Sequence, residues 1–196
     1  MECYATKEGV PVPQKDKLNR PLVFGAFAMY LFLLIWVIAL KFNAAWLPEL
    51  GEYFRALPLR ARVGRRIIPF YSMIKNGFYF EQDYFMNAVV YIPLGLFLPY
   101  LLPRRGRTAR SLAIILLSSV TFEMIQLYTG FGGCDGTDVV CNLLGGVVGL
   151  LLVALLRRFV SDRAVNVVCA LGLLAFAPIT VYALVNTLSN LHLYRM

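Results

Sequence analysis

Five apolar stretches recur along the chain, each about as long as a bilayer crossing. They are residues 22–40, 84–102, 111–128, 138–156 and 165–188. The first is free of charge, and at about 1.5 Å per residue it extends roughly 28 Å, close to the ~30 Å hydrocarbon core. A soluble helical protein would interrupt such runs with a polar face at a period of 3.6 residues. The pattern predicts an all-α fold, a polytopic transmembrane helical bundle with about five spans.

The connections between the apolar stretches predict how the bundle is organised. Residues 1–21 read as a cytoplasmic tail, 22–188 as a single membrane domain and 189–196 as a short C-terminal tail. The later connections are short, so we expect consecutive spans to be antiparallel neighbours. A cleaved signal peptide is the alternative for the first span, but the apolar run is longer than a signal peptide core and no good cleavage site follows. An uncleaved span is favoured.

The loop over 41–83 is the one sizeable segment predicted outside the membrane. Leu50, Phe54 and Leu57 recur there at three and four residues, which is typical of a short helix lying in the interface. A solvated loop is an equally good interpretation, because Pro58 limits the helix to about two turns. Both readings stay open.

Composition and charge support a membrane location. Hydrophobic residues make up 59% of the chain, charged residues only 15%, and the mean hydropathy is +0.67. The net charge is +8, and the basic residues cluster at the ends of the apolar segments. Without a basic stripe interleaved with aromatic residues, no nucleic-acid partner is expected, whereas contact with anionic membrane lipids is.

Lysine and arginine also predict the orientation. A cytoplasmic N-terminus would place eleven of them on that side and eight on the other, and seven of those eight lie in the long loop, where the bias is less informative. The short connections therefore favour a cytoplasmic N-terminus and an external C-terminus. The protein is expected in the cell membrane as a multi-pass protein.

The sequence predicts neither a metal site nor a cofactor. The four cysteines form no CxxC motif, and His192 is the single histidine. We interpret the cysteines as small packing residues, with a Cys134–Cys141 disulfide as the alternative.

Polar residues lie near the mouths of three apolar spans. Helical geometry puts Glu123 about 8 Å, Asn142 about 6 Å and Asn87 about 5 Å below the outer surface. Glu123 and Gln126 are three residues apart, and Asp138 and Asn142 four apart, so each pair shares a helix face. Because an acid facing lipid costs up to about 2.5–3.5 kcal/mol, these faces are expected to converge inside the bundle.

Interhelical hydrogen bonding is the plain interpretation of such a cluster, at about 0.6 kcal/mol per bond. It suits the amides of Asn87 and Gln126, whereas the two acids Glu123 and Asp138 favour a function, with Asp135 beside them in the loop. Small residues at Cys141, Gly145 and Gly149 are spaced to let another helix approach closely.

The long loop carries a run of arginines on the same predicted side. They are Arg60, Arg62, Arg65 and Arg66. They suit an anion clamp for a phosphate-bearing headgroup, and equally an attachment to an anionic lipid surface.

Familiar catalytic motifs are missing from the sequence. No GxSxG accompanies Ser118 and Ser119, which argues against a serine hydrolase. Asp135 and Asp138 do not lie on two facing helices at mid-bilayer, as an aspartyl intramembrane protease would need. The glycines at 130–133 lack the GK[ST] of a phosphate-binding loop.

Four blocks of residues follow one another between positions 65 and 156. The blocks are Arg65-Arg66-Ile67-Ile68-Pro69-Phe70; Asn87 with Tyr91-Ile92-Pro93-Leu94-Gly95-Leu96-Phe97-Leu98-Pro99; Ser118-Ser119 with Phe122-Glu123-Met124-Ile125-Gln126; and Asp135, Asp138, Asn142, Gly145 and Gly149. Together they resemble the VanZ-like membrane proteins. The resemblance implies a polytopic bacterial membrane protein of the cell envelope, in a family whose namesake is linked to low-level resistance to the glycopeptide teicoplanin. Many members have an arginine just before the first acid of the fourth block, where this chain has Gly132-Gly133-Cys134.

Three functional hypotheses follow. In the first, an outward-facing pocket of Asn87, Glu123, Gln126, Asp138 and Asn142 engages an envelope lipid or glycoconjugate. In the second, the protein is an intramembrane transferase or hydrolase of a lipid phosphate, with Glu123 or Asp138 as general base and the loop arginines as phosphate ligands. In the third it is a small transporter or a scaffold, although no internal repeat supports a transporter. The oligomeric state is left open.

Overall fold

The structure is a computed structural model that describes residues 17–40, 56–58, 67–76, 82–129 and 135–189. These residues form six helices. The helices are α1 (Arg20–Leu40), α2 (Tyr71–Asn76), α3 (Gln82–Leu101), α4 (Arg107–Thr129), α5 (Gly136–Leu156) and α6 (Asp162–Ser189). All except α2 are long and apolar enough to cross a membrane. The prediction of an all-α bundle with five spans is confirmed for the described part of the chain.

All five long helices begin two to four residues earlier than hydrophobicity alone predicts, and the shift is largest for α4 and α6. α4 starts at Arg107 instead of Ser111, and the Arg107 side chain turns back to donate its Nε–H to the Leu102 carbonyl at 3.2 Å. α6 starts at Asp162 instead of Val165, and the Ser161 hydroxyl accepts a hydrogen bond from the Ala164 amide at 3.2 Å. Ser161 and Asp162 therefore cap the start of α6 favourably, whereas at the start of α4 the Arg107 side chain instead satisfies a carbonyl just past the end of α3.

The predicted interfacial helix falls mostly where the structure gives no description. Leu50 and Phe54 lie outside the described residues, and Leu57 is half-buried. Further along the same loop, the structure places the six-residue helix α2.

The most closely packed pair of the described helices is α3 and α5, which run parallel to each other. A Cβ at Gly145 would collide with the backbone of Ala88, and one at Gly149 with the backbone of Ile92, one turn further along both helices. Gly95 of α3 lies in the same way against the backbone of Gly146. The small residues predicted on α5 therefore serve as a close packing face.

α6 packs mainly on α1 and not on α5. The two helices are parallel, because Asn166 accepts a hydrogen bond from the Asn19 amide near both starts, and Trp36 meets Tyr182 edge-on at 6.1 Å near both ends. The expectation that consecutive spans are neighbours is thus wrong for α5 and α6. Short loops constrain distance but leave the choice of packing partner to the complementarity of helix faces.

The core lies between α1, α3 and α4. Its fully buried members are Leu34, Tyr91, Leu94, Leu98 and Ile115. Many large apolar side chains of α4, α5 and α6 are exposed on the outside of the bundle, as expected of helices that face lipid.

The two ends of the bundle differ in charge. At the acidic end, where α4 stops and α5 begins, lie Glu123, Asp135 and Asp138. At the arginine-rich end, where α3 and α5 stop and α4 begins, lie Arg104, Arg107 and Arg157. The prediction that the arginine-rich end is cytoplasmic stays a prediction.

Candidate functional site

The site is built around the first turn of α5. Asp135 is the N-cap residue, with extended backbone angles, and its Oδ1 accepts a hydrogen bond from the Thr137 amide at 2.8 Å. Asp138 follows in the first turn, where a negative charge interacts favourably with the helix dipole. Both acids predicted at this position are therefore explained locally by helix initiation.

Glu123 reaches this turn from the end of α4. Its side chain is 4% exposed, and its Oε2 accepts a hydrogen bond from the backbone amide of Asp135 at 2.8 Å. In a capping box, a glutamate three residues into the helix binds the amide of the N-cap residue. Here a glutamate from the preceding helix takes that role, so Glu123 fixes the position of α5 against α4.

Asn142 lies two turns further into the membrane on α5. It is 2% exposed and donates an Nδ2–H to the Oγ of Ser119, itself fully buried, at 2.9 Å. No described residue hydrogen-bonds its Oδ1. The hydroxyl of the buried Tyr91 accepts a hydrogen bond from the Ser118 Oγ at 3.5 Å and lies near Ser119 and Glu123. We call Tyr91, Ser119, Glu123 and Asn142 the polar cluster; it joins α3, α4 and α5.

The segment Ile67–Phe70 covers the start of α5. The Phe70 amide donates to the Oγ1 of Thr137 at 3.0 Å, and the Ile67 carbonyl lies so close to Gly136 that a Cβ there would collide with it. Phe70 has φ 61°, in the left-handed region that costs a non-glycine residue roughly 1–2 kcal/mol. A strained residue held by a buried threonine indicates that the position of this segment is strongly determined.

The remaining predicted site residues lie elsewhere or are not described. Gln126 donates its Nε2–H to the Ile38 carbonyl at 3.1 Å and so ties α4 to α1. Asn87 is half-buried, one turn before Tyr91 on the same face of α3. The four loop arginines of the predicted clamp, Arg60, Arg62, Arg65 and Arg66, lie outside the described residues.

Comparison with known proteins assigns the chain to a family. The model of the VanZ/LLP1 family matches residues 27–157. The chain belongs to the VanZ/LLP1 family. It is also 30% identical to Protein VanZ of Enterococcus faecium over 166 residues, which cover 84% of this chain and 94% of that protein. No solved structure matches.

The matched VanZ/LLP1 region contains the whole polar cluster and the segment Ile67–Phe70. Within it, sequence reasoning did not assign Tyr91, Ser119 or Thr137 to the site. A signal was present for two of them, since Ser119 lies four residues before Glu123 and Tyr91 four after Asn87. No sequence signal pointed to Thr137, because its hydrogen-bond partner is the backbone amide of Phe70, in a loop distant in sequence.

The cysteines that the structure describes behave as packing residues. Cys141 is a buried free thiol, so it forms no disulfide with Cys134, which lies outside the described residues. Cys169 on α6 is likewise buried and free.

Proposed function

We propose that the polar cluster is an outward-facing binding site of a VanZ/LLP1-family membrane protein, that it engages a polar group of an envelope lipid or glycoconjugate, and that the protein contributes in this way to teicoplanin-type glycopeptide resistance. The observation that carries the proposal is the Oδ1 of Asn142, a buried acceptor without a partner among the described residues. Leaving such an acceptor unsatisfied costs about 1–3 kcal/mol. A ligand hydroxyl or amide would remove that penalty.

The place of Asn142 limits the kind of ligand. It is the seventh residue of α5, so it lies about 9 Å from the start of the helix. A sugar hydroxyl or amide close to a lipid anchor can reach that depth, whereas a fully water-soluble group would have to leave the interface. The ligand we propose therefore combines a membrane anchor with hydrogen-bond donors.

Glu123 acts in this proposal as a positioning residue. Its Oε2 is bonded to the Asp135 amide, which sets the depth and rotation of α5 and thus of Asn142. Because that oxygen is already engaged, this contact does not favour Glu123 as the general base of a hydrolase or transferase.

The loop arginines extend the proposed site toward a phosphate. In the sequence, Arg65 and Arg66 come directly before Ile67, whose carbonyl lies against Gly136 at the start of α5. We include both guanidinium groups as partners of an anionic headgroup, together with Arg62.

Two matched amide-to-leucine variants test the proposal. Asn142→Leu removes both the unpaired acceptor and the Nδ2–H that reaches the Ser119 Oγ, so the gain and the loss in stability should largely offset each other. Teicoplanin tolerance of a strain that depends on this protein should nevertheless be lost. Gln126→Leu makes the same chemical change, but at a residue that ties α4 to α1, and should keep tolerance. Full tolerance with Asn142→Leu, at equal protein level, would overturn the proposal.

A further inference from the structure

A long apolar groove opens on the side of the bundle between α1, α3 and α6. It has a volume of about 760 Å³, within the ~300–1,000 Å³ typical of ligand sites. Its walls run along α1 from Val23 to Val37, about 21 Å at 1.5 Å per residue, and Gly172 of α6 lines it. That length exceeds one leaflet, which is about half of the ~30 Å hydrocarbon core.

The size of the groove favours a hydrocarbon chain as its occupant. Its volume is that of a small-ligand site, and its length of about 21 Å along α1 is that of an elongated ligand. The lining is almost wholly apolar, with Tyr30 turned to donate its hydroxyl to the Val90 carbonyl at 2.8 Å. A lipid acyl chain fits both the shape and the chemistry.

One mouth of the groove carries concentrated positive charge. Tyr100 and Leu156 line the groove at the arginine-rich end, and the guanidinium of Arg157 lies 5.2 Å from the Tyr100 ring centre. Arg107 lies close enough to Arg157 and Arg104 to be repelled by both. Asp162 is the one acid among the described residues of this end.

None of the three arginines Arg104, Arg107 and Arg157 forms an ion pair within the part of the chain that the structure describes. Two of them donate to backbone carbonyls, Arg157 to Pro99 and Arg107 to Leu102. Arg104 and Arg157 are exposed and Arg107 is half-buried, and together they offer hydrogen-bond donors and uncompensated charge to an anion at the mouth of the groove.

We infer that this groove is a binding site for an anionic phospholipid, with an acyl chain between α1, α3 and α6 and its phosphate on Arg157. The site lies at the opposite end of the bundle from the polar cluster and does not depend on the function proposed there. The positive charge binds the headgroup and the apolar groove binds the acyl chain, so the two contributions to lipid binding can be tested separately.

Native mass spectrometry of the full-length protein in detergent, with phosphatidylglycerol and phosphatidylcholine of identical acyl chains, tests the headgroup. We expect phosphatidylglycerol to bind about tenfold more tightly. Arg157→Gln should weaken its binding about fivefold, the effect of one basic residue near an anionic surface. Arg110→Gln is the matched control, since α4 does not line the groove, and should leave binding unchanged.

Two glycines test the acyl chain. A Cβ at Gly172 or at Gly25 meets nothing within 4 Å, but only Gly172 lines the groove. Gly172→Phe should weaken the binding of both lipids to a similar extent, whereas Gly25→Phe should leave the binding of both unchanged. Gly172→Leu gives a second, smaller filling if the phenylalanine variant fails to fold.

Several results would overturn the inference. If the Gly172 and Gly25 variants bind lipid equally well, the acyl chain does not lie in the groove. If the Arg157 and Arg110 variants have equal effects on lipid binding, the headgroup does not bind Arg157. If free glycerol phosphate competes for the site as strongly as the lipid does, the site binds an anion but no acyl chain. A dimer that forms as lipid is lost would assign the groove to a second copy.

Discussion

Replacing Gly149 with alanine should force α3 and α5 apart. A Cβ at position 149 would lie 2.9 Å from the Cα of Gly95 and 2.9 Å from the backbone N of Leu96, and closer still to the Ile92 carbonyl oxygen. Carbon atoms in contact prefer about 3.5–4.0 Å, so the helices must separate by on the order of 1 Å. All three neighbours are backbone atoms, and no side-chain rotation can make room. Overpacking of this kind typically costs about 1–3 kcal/mol.

The chain offers matched controls for this substitution. A Cβ at Gly25 or at Gly172 meets nothing within 4 Å, and both glycines lie inside long helices. Alanine is favoured over glycine in a helix by roughly 1 kcal/mol, so Gly25→Ala and Gly172→Ala should be neutral or stabilising. The same Gly→Ala substitution is thus expected to lower stability where the helices are in close contact and to leave it unchanged or raise it where the Cβ has space.

A thiol-reactive fluorogenic dye provides the assay, because Cys141 and Cys169 are buried and free and become reactive only on unfolding. Cys3 and Cys134 are replaced by serine in every variant. At about 2–4 °C per kcal/mol, Gly149→Ala should lower Tm by roughly 2–12 °C, while the controls stay level or rise. A Tm of Gly149→Ala equal to or above that of Gly25→Ala would refute the close α3–α5 contact.

Three further predictions follow from the site and the topology. Thr137→Val removes the acceptor of the Phe70 amide and should speed hydrogen exchange at that amide; unchanged exchange would show that other contacts hold the segment. Glu123→Gln keeps an acceptor for the Asp135 amide whereas Glu123→Leu does not, so the leucine variant should be less stable than the glutamine variant by about 1–3 kcal/mol in the same dye assay, and equal stabilities would argue against the cap. A C-terminal alkaline phosphatase fusion should be active and a fluorescent-protein fusion dark if the C-terminus is external; the reverse pattern would invert the predicted orientation.

The membrane architecture could be predicted from the sequence because it depends on few variables. The length of an apolar run and the rise of a helix place five spans, and the cost of an acid in lipid turns Glu123 inward. The same helix-rise estimate predicted similar depths for Glu123 and Asn142, and in the structure Asn142 hydrogen-bonds Ser119 while Ser119 and Glu123 both lie near Tyr91.

The choice of partner could not be predicted in the same way. Glu123 and Gln126 are three residues apart and share a broad helix face, yet Glu123 contacts the start of α5 and Gln126 contacts α1. A face about 60° wide is enough to meet two different helices in a bundle. Likewise, the small residues of α5 predicted a close neighbour without showing that it would be α3.

The local backbone conformation around the start of α5 could not be predicted from the sequence either. Nothing in the Arg65–Phe70 run indicates that Phe70 adopts a left-handed conformation or that Thr137 receives its amide. Both features arise from contacts between segments far apart in the chain, which periodicity and spacing do not encode.

The convergence of α4 and α5 at the polar cluster can be measured directly by cross-linking in native membranes. In a cysteine-free chain, Ser119→Cys with Asn142→Cys replaces two side chains whose polar atoms are 2.9 Å apart, whereas Leu117→Cys puts the first thiol on a residue of α4 that is 65% exposed. A short bifunctional thiol reagent, read out by peptide mass spectrometry, should join positions 119 and 142 and leave 117 and 142 unjoined. Joining of 117 to 142, or no product from the pair at 119 and 142 when both thiols are labelled singly, would contradict the account.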